Sequence, residues 1–238
     1  MLTSLLVGVA GMNVFALALI LLRGPMFRAR LYTPMLWNVM LSVAPVLLMG
    51  ALVFVVPILV ALVQGWLALA VGLVLGVVWL LLLPNAGYLI TELNMSHRRE
   101  QESVPMWFDV VQVITLAMSG VLNTVLNVFL AQLLFVLLVY GDVAAPLQAA
   151  VPRLIVVAIL LAVSFGMYLG RYVRLNSWDV RHPPALVRKV ATHLREPGRL
   201  RSSVAFVVLY TLFLGLMYLA VAGPVIEGLI LIEHARGS

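Results

Sequence analysis

Between Leu31 and Thr91 the chain runs for 61 residues without a single Asp, Glu, Lys or Arg. As one helix, that stretch would be about 90 Å long, about three times the hydrocarbon thickness of a bilayer. It must therefore turn back at least once, and nothing so long and uncharged belongs on the surface of a soluble domain. Residues 1–22, 110–141, 154–170 and 202–226 are also free of charge. Hydrophobic residues make up 64% of the 238 and charged residues 10%, against roughly 45–50% and roughly 25% in soluble domains. The chain reads as an all-α, polytopic transmembrane helix bundle of about six spans.

The first span is 2–22, ended by Arg23-Gly24-Pro25. It carries no basic leader segment and no clean small-residue cleavage site, so it is expected to stay as a span. Gln64-Gly65 is the turn signal that divides the long stretch. A second span then covers 35–62, kinked at Pro45 and Pro57, and a third covers 66–83, broken by Pro84-Asn85-Ala86-Gly87. The fourth covers 107–140 with Gly120 as a place to bend, the fifth 154–172 and the sixth 202–223. The tail from Pro224, with Glu227 and Glu233, is expected at the membrane interface instead of across it.

Of the 15 basic residues, 13 fall in the loops after the first, third and fifth spans, leaving Arg153 and Arg236 opposite. Positively charged loops stay in the cytoplasm, which places both termini outside. The whole chain, 1–238, is then one transmembrane domain with a basic cytoplasmic loop at about 173–201. Topology accounts for the net charge of +6, so membrane lipids are the expected partners and nucleic acid is not. The absence of cysteine excludes disulfides and thiolate metal sites. In the long basic loop, Leu186, Val187, Val190 and Leu194 recur at helical spacing between Arg188 and Lys189. Two alternatives stand: an amphipathic helix on the inner leaflet, or a solvated connector. His182 and His193 in the same loop read as surface residues.

Polar residues within apolar segments carry the functional information. Asp109, Gln112, Ser119, Asn123 and Asn127 step by 3, 7, 4 and 4, which keeps them within an arc of about 80° on the fourth span. This polar stripe either lines a substrate path or holds helices together by hydrogen bonds. At the proline break, Asn85, Tyr88 and Glu92 offer an amide, a phenol and a carboxylate. On the fifth span Ala162, Gly166 and Gly170 repeat at i+4 as a close-packing face leading to Arg174, followed by Asn176, Trp178 and Asp179. Arg171 and Arg174 are either membrane anchors or anion-binding groups. With Trp37 and Asn38, these segments converge on the cytoplasmic face. The substrate-binding candidates are thus Asn85, Tyr88, Glu92, Asp109, Arg171, Arg174, Asn176, Trp178 and Asp179.

Four pieces, in order, carry a resemblance: Trp37-Asn38, Leu83-Pro84-Asn85-Ala86-Gly87-Tyr88-Leu89-Ile90-Thr91-Glu92-Leu93, Trp107-Phe108-Asp109, and Gly170-Arg171-Tyr172-Val173-Arg174-Leu175-Asn176-Ser177-Trp178-Asp179. In these the chain resembles the domain of unknown function 1361 family of bacterial membrane proteins. The resemblance implies a six-span integral protein of the bacterial inner membrane and no defined activity. The family pattern has Pro at Gly87, Asp at Glu92 and a His near Met95; His97 is out of register, so no metal site is carried over.

Three functions remain open. The first is a small transporter or a lipid- or solute-binding protein with a polar site at the cytoplasmic membrane face. The second is a membrane-embedded enzyme acting on a lipid or anionic headgroup, with Arg171 and Arg174 on phosphate and Glu92, Asp109 or Asp179 as acid/base or Mg²⁺ ligand. The third is a structural or accessory subunit in which these charges neutralise one another. The expected ligand is an anionic small molecule or lipid headgroup. No cofactor, metal ligand or oligomeric state is assigned.

Overall fold

The computed structural model describes residues 1–29, 33–62, 66–93, 104–173 and 183–237, and every regular element among them is helical. The elements are α1 (Leu2–Phe27), α2 (Thr33–Leu62), α3 (Trp66–Leu82), the short α4 (Pro84–Gly87) running into a 3-10 turn (Tyr88–Leu93), and α5 (Met106–Tyr140). A 3-10 turn (Ala145–Gln148) then leads to α6 (Ala150–Tyr168), a π turn (Leu169–Val173), α7 (Pro183–Arg195) and α8 (Arg199–Gly237). Six segments are long and apolar enough to cross a membrane: α1, α2, α3 with its continuation, α5, α6 with its π turn, and α8.

Helices extend further than the sequence breaks suggest, because a backbone in hydrocarbon has no water to bond and must satisfy itself within the segment. Three expectations change for this reason. Helix α1 does not stop at Arg23-Gly24-Pro25; it runs through Pro25 to Phe27, and Arg28 closes it in the left-handed conformation at φ 53°. That extra turn puts Arg23 on a helix wall instead of in a loop. Pro84 interrupts the α-helix, which ends at Leu82 and resumes as the short α4, but it does not end the span. Leu83 and Tyr88 keep right-handed helical dihedrals, since a proline in a first turn needs no N–H donor. The path tightens instead, the Ala86 N–H bonding the Leu83 carbonyl at 3.0 Å, and the span covers Ala70–Ile90. Finally, the tail from Pro224 is not a separate interfacial segment. It continues α8, a 39-residue helix about 58 Å long, whose Gly228 abuts Met1 and whose Glu233 accepts the backbone N–H groups of Ala144 and Ala145 at 2.8 and 3.1 Å.

Helix α5 is the axis of the bundle: α1, α2, α4, α6 and α8 all pack on it. Its Val121, Val125, Val128 and Phe129 meet Leu83, Ala86, Leu160, Val163, Leu214 and Ala222 in one core. The outer faces carry exposed Leu47, Phe54, Leu73, Leu81, Leu209 and Leu216, apolar surface suited to lipid. The expected small-residue face on α6 has a definite partner in α4. Gly166 lies against the Pro84 ring, Gly170 against the Tyr88 phenol, and on α5 a Cβ at Gly120 would come 2.9 Å from the Ala86 carbonyl. The 84–90 segment is therefore clasped between α5 and α6. Because the proline ring is rigid, Gly166→Ala is expected to destabilise the protein by about 1–3 kcal/mol, seen as a lower melting temperature in detergent. Gly76→Ala, with nothing within 4 Å of the added methyl, is expected to leave it unchanged or raise it.

Candidate functional site

The five residues of the polar stripe on α5 are all buried, none more than 4% exposed, and the other helices satisfy most of their hydrogen bonds. Near the N-terminus of α5, Asp109 forms an ion pair with Arg23 of α1, Nη1 to Oδ1 at 2.8 Å, with 5% and 17% of the two side chains exposed. The same guanidinium donates to Gln112 at 3.3 Å, and the Gln112 amide reaches the Met35 sulfur of α2 at 3.1 Å. About three turns beyond Gln112, Asn123 exchanges reciprocal hydrogen bonds with Asn13 of α1 at 2.7 and 3.0 Å. It also donates to Ser42 of α2 at 2.9 Å, and that hydroxyl donates onward to the Ala86 carbonyl of α4 at 3.0 Å. Asn127 accepts from the Trp79 indole of α3 at 2.9 Å and donates to the Asn123 carbonyl. Ser119 bonds its own helix at Leu116. Beyond the expected stripe, Gln132 accepts from Tyr218 of α8 and donates to the Leu147 carbonyl. Asn123 and Asn127 are thus hydrogen-bonded to neighbouring helices, and Ser119 to its own. Neither of the two pockets below includes a stripe residue.

A different arrangement forms where α6 ends. Tyr168, 1% exposed, shares a hydrogen bond between its hydroxyl and Nε2 of His193 on α7 at 3.1 Å. The π turn that follows carries exposed Arg171 and exposed Tyr172. Tyr172 stacks on Tyr168 at 4.8 Å and meets Phe206 edge-on at 5.8 Å, and Phe206 stacks on Tyr210 at 4.2 Å. Between the π turn and α7 lies a pocket of about 520 Å³, lined by Tyr172, Val173, Ala185, Arg188, Lys189, Thr192, His193 and Glu196. Residues 188, 189, 192 and 193 share one face of α7 because they sit one turn apart. Glu196 is held by Arg199 at 3.1 Å. A second pocket of about 460 Å³ lies toward the opposite end of the bundle, mainly apolar, with Asp142 and Glu233 in its lining.

Four of the nine binding candidates have described side chains. Asp109 is buried against Arg23 and α2; Asn85 and Tyr88 are half-buried in the clasp between α5 and α6; Arg171 is exposed on the π turn. The side chain of Glu92, and Arg174, Asn176, Trp178 and Asp179 entirely, lie outside the described residues. Among the described residues no three His, Asp or Glu stand close enough to share a metal ion. Two functional residues escape a reading by sequence alone. Arg23, counted as a loop charge, is the partner of Asp109; its distance of ten residues from Asn13 puts both within about 80° on one helix, a usable signal. His193, expected at the surface, is half-buried and bonded to Tyr168, a pairing that no local pattern in the sequence marks.

A family model described as "Protein of unknown function (DUF1361)" matches residues 37–217, a stretch that contains α7 and the aromatic cluster. No curated protein and no solved structure matches the chain. The ion pair at Arg23 makes its own prediction. Breaking a buried pair from one side leaves an uncompensated charge and costs about 3–5 kcal/mol. Arg23→Gln or Asp109→Asn alone is therefore expected to destabilise by that order, and the double variant by clearly less than the sum, in a double-mutant cycle of thermal melts.

Proposed function

The chain belongs to the DUF1361 family, whose description assigns no activity, and from its geometry we propose a multi-pass protein of the bacterial inner membrane that binds an anionic lipid headgroup or anionic small solute at its cytoplasmic face. The pocket between the π turn and α7 carries this proposal: two cations, a histidine and a hydroxyl on one helix face, opposite an exposed tyrosine. It lies at the end of the bundle where the basic loops gather, the end that the positive-inside rule assigns to the cytoplasm, with both termini outside. In that orientation the chain is one transmembrane domain, and the basic loop at about 173–201 includes α7. The amphipathic character of α7 supports an in-plane position at the inner leaflet, because its basic residues alternate with Leu186, Val190 and Leu194, and Val187 is 66% exposed.

Binding is favoured over permeation because the polar groups at depth are already engaged with one another. A conduit along α5 would need Asn123 and Asn127 to face water, and both are buried and hydrogen-bonded. The accessory-subunit reading keeps one specific support, the mutual neutralisation of Arg23 and Asp109.

Each basic residue near an anionic membrane surface contributes about 1 kcal/mol. The double variant Arg188→Gln/Lys189→Gln is therefore expected to lower the enrichment of phosphatidylglycerol over phosphatidylcholine around the purified protein by about tenfold or more. Glu233→Gln, at the other end of the bundle, is expected to leave it unchanged. Quantifying co-purified lipid by mass spectrometry checks both, and undiminished enrichment in the double variant would contradict the proposal.

A further inference from the structure

Independently of the basic end, we propose that the pocket at the opposite end of the bundle is a lipid site that selects a primary-ammonium headgroup, the chemistry of phosphatidylethanolamine, through Asp142 and Glu233. The walls come first. Leu133, Leu134 and Leu137 of α5, Leu229 and Ile232 of α8, and Val53 of α2 enclose about 460 Å³, within the range of about 300–1,000 Å³ usual for small-molecule sites. Helices α5 and α8 run in the same direction, since Gln132 meets Tyr218 and, further along, Ala144 meets Glu233. Both therefore give the pocket the same order, leucines deeper in the bundle and a carboxylate at the rim, with Leu133 about 10 Å below the end of α5. Exposed Tyr140, at that end, and exposed Trp66, where α3 begins, are the amphipathic rings that mark headgroup depth. Leu137 and Ile232 are exposed, so the pocket opens toward the bilayer. Apolar depth under an ionic rim is the profile of an amphiphile, chain inward and head outermost.

The head decides the selection. A chain gains little by leaving the bilayer for this wall, because lipid tails are as apolar as leucine; discrimination has to come from the rim. Glu233 is half-buried, and its Oε2 accepts the Ala144 and Ala145 N–H groups at 2.8 and 3.1 Å, which fixes the carboxylate against the turn. A carboxylate has about four acceptor sites, so about two remain for a ligand. Asp142 is exposed and makes no hydrogen bond or ion pair among the described residues. No basic side chain lines the pocket among the described residues. A primary ammonium brings a compact positive charge and three N–H donors, which form charge-assisted hydrogen bonds with carboxylates. The quaternary head of phosphatidylcholine has the charge without a donor, and phosphatidylglycerol has hydroxyl donors without the charge.

The test uses the full chain in nanodiscs holding equimolar phosphatidylethanolamine and phosphatidylcholine with the same acyl chains. Release into mild detergent and native mass spectrometry then identify the lipid that stays bound. The native protein is expected to retain phosphatidylethanolamine about fivefold over phosphatidylcholine, the upper scale of an exposed ion pair, with the mono- and dimethylated heads falling between them. Asp142→Asn/Glu233→Gln is expected to lose the preference; a glutamine still accepts the Ala144 and Ala145 N–H groups, so the turn keeps its cap. Should that variant fail to fold, Asp142→Asn alone, a neutral change at an exposed residue, decides the matter by lowering the preference or leaving it intact. Arg188→Gln/Lys189→Gln, at the other end of the bundle, is expected to leave it unchanged, which keeps this test apart from that of the anionic site. Equal retention of the two lipids by the native protein would overturn the proposal, as would a preference that survives the double carboxylate variant. A preference that appears only in Arg236→Gln would show the carboxylates already engaged by that arginine and overturn it too. Displacement of the bound lipid by soluble phosphoethanolamine would show a head site with no use for the chain, and would overturn the lipid assignment.

Discussion

Asn123 is the knot that ties the bundle. An amide buried without a partner costs a few kcal/mol, and in hydrocarbon no water is available to lower that cost. Asn123 meets the requirement by bonding Asn13 on α1 and Ser42 on α2, and Ser42 passes the connection to a backbone carbonyl on α4. Three neighbouring segments are thereby fixed in register against α5. Asn127 adds α3 through Trp79, and Gln132 adds α8 through Tyr218. The remaining helix, α6, is held by the direct approach of α4 to its glycines and by the hydrogen bond that its Ser164 accepts from Thr211 of α8. Apolar side chains alone would not specify this arrangement, since lipid tails are as apolar as leucine.

The same economy explains why the charged groups separate into two classes. Half-buried Arg23 pairs with buried Asp109, and a pair largely withdrawn from water stabilises little beyond its own desolvation; its effect is to penalise any packing that separates the partners. Arg171, Arg188 and Lys189 lie instead at the end of the bundle where α6 opens into a π turn and α7 folds across it. Single π turns inside helices often accompany functional sites. The interior of the protein is committed to holding its helices, and exposed Arg171 and Arg188 stand at the basic end.

Much of this was legible in the amino-acid order. The uncharged runs locate six spans, and the period of Asp109, Gln112, Ser119, Asn123 and Asn127 identifies α5 as the helix with an inward polar face. Helix ends were harder to read. Pro25, Pro84 and Pro224 look like stops by the standards of water, where a broken helix can bond solvent; in hydrocarbon the chain stays helical past all three. That misjudgement hid Arg23, which becomes the partner of Asp109 only if α1 continues past it. His193 was hidden for another reason: its half-buried state depends on Tyr168, twenty-five residues away, and no local pattern marks that pairing. The Gly166 and Gly170 face was visible by spacing, but its partner, the proline turn of α4, is a tertiary fact.

The division between a closed interior and an accessible basic end is the central claim, and the natural absence of cysteine allows a direct measurement. Ser119, 0% exposed on α5, and Thr192, in the pocket lining on α7, can each be replaced singly by cysteine with little change of volume. In folded protein in a bilayer, a membrane-impermeant thiol reagent is predicted to label Thr192→Cys readily and Ser119→Cys not at all, from either side. Labelling of Ser119→Cys at a rate near that of Thr192→Cys would show a water-filled path along α5 and contradict the account.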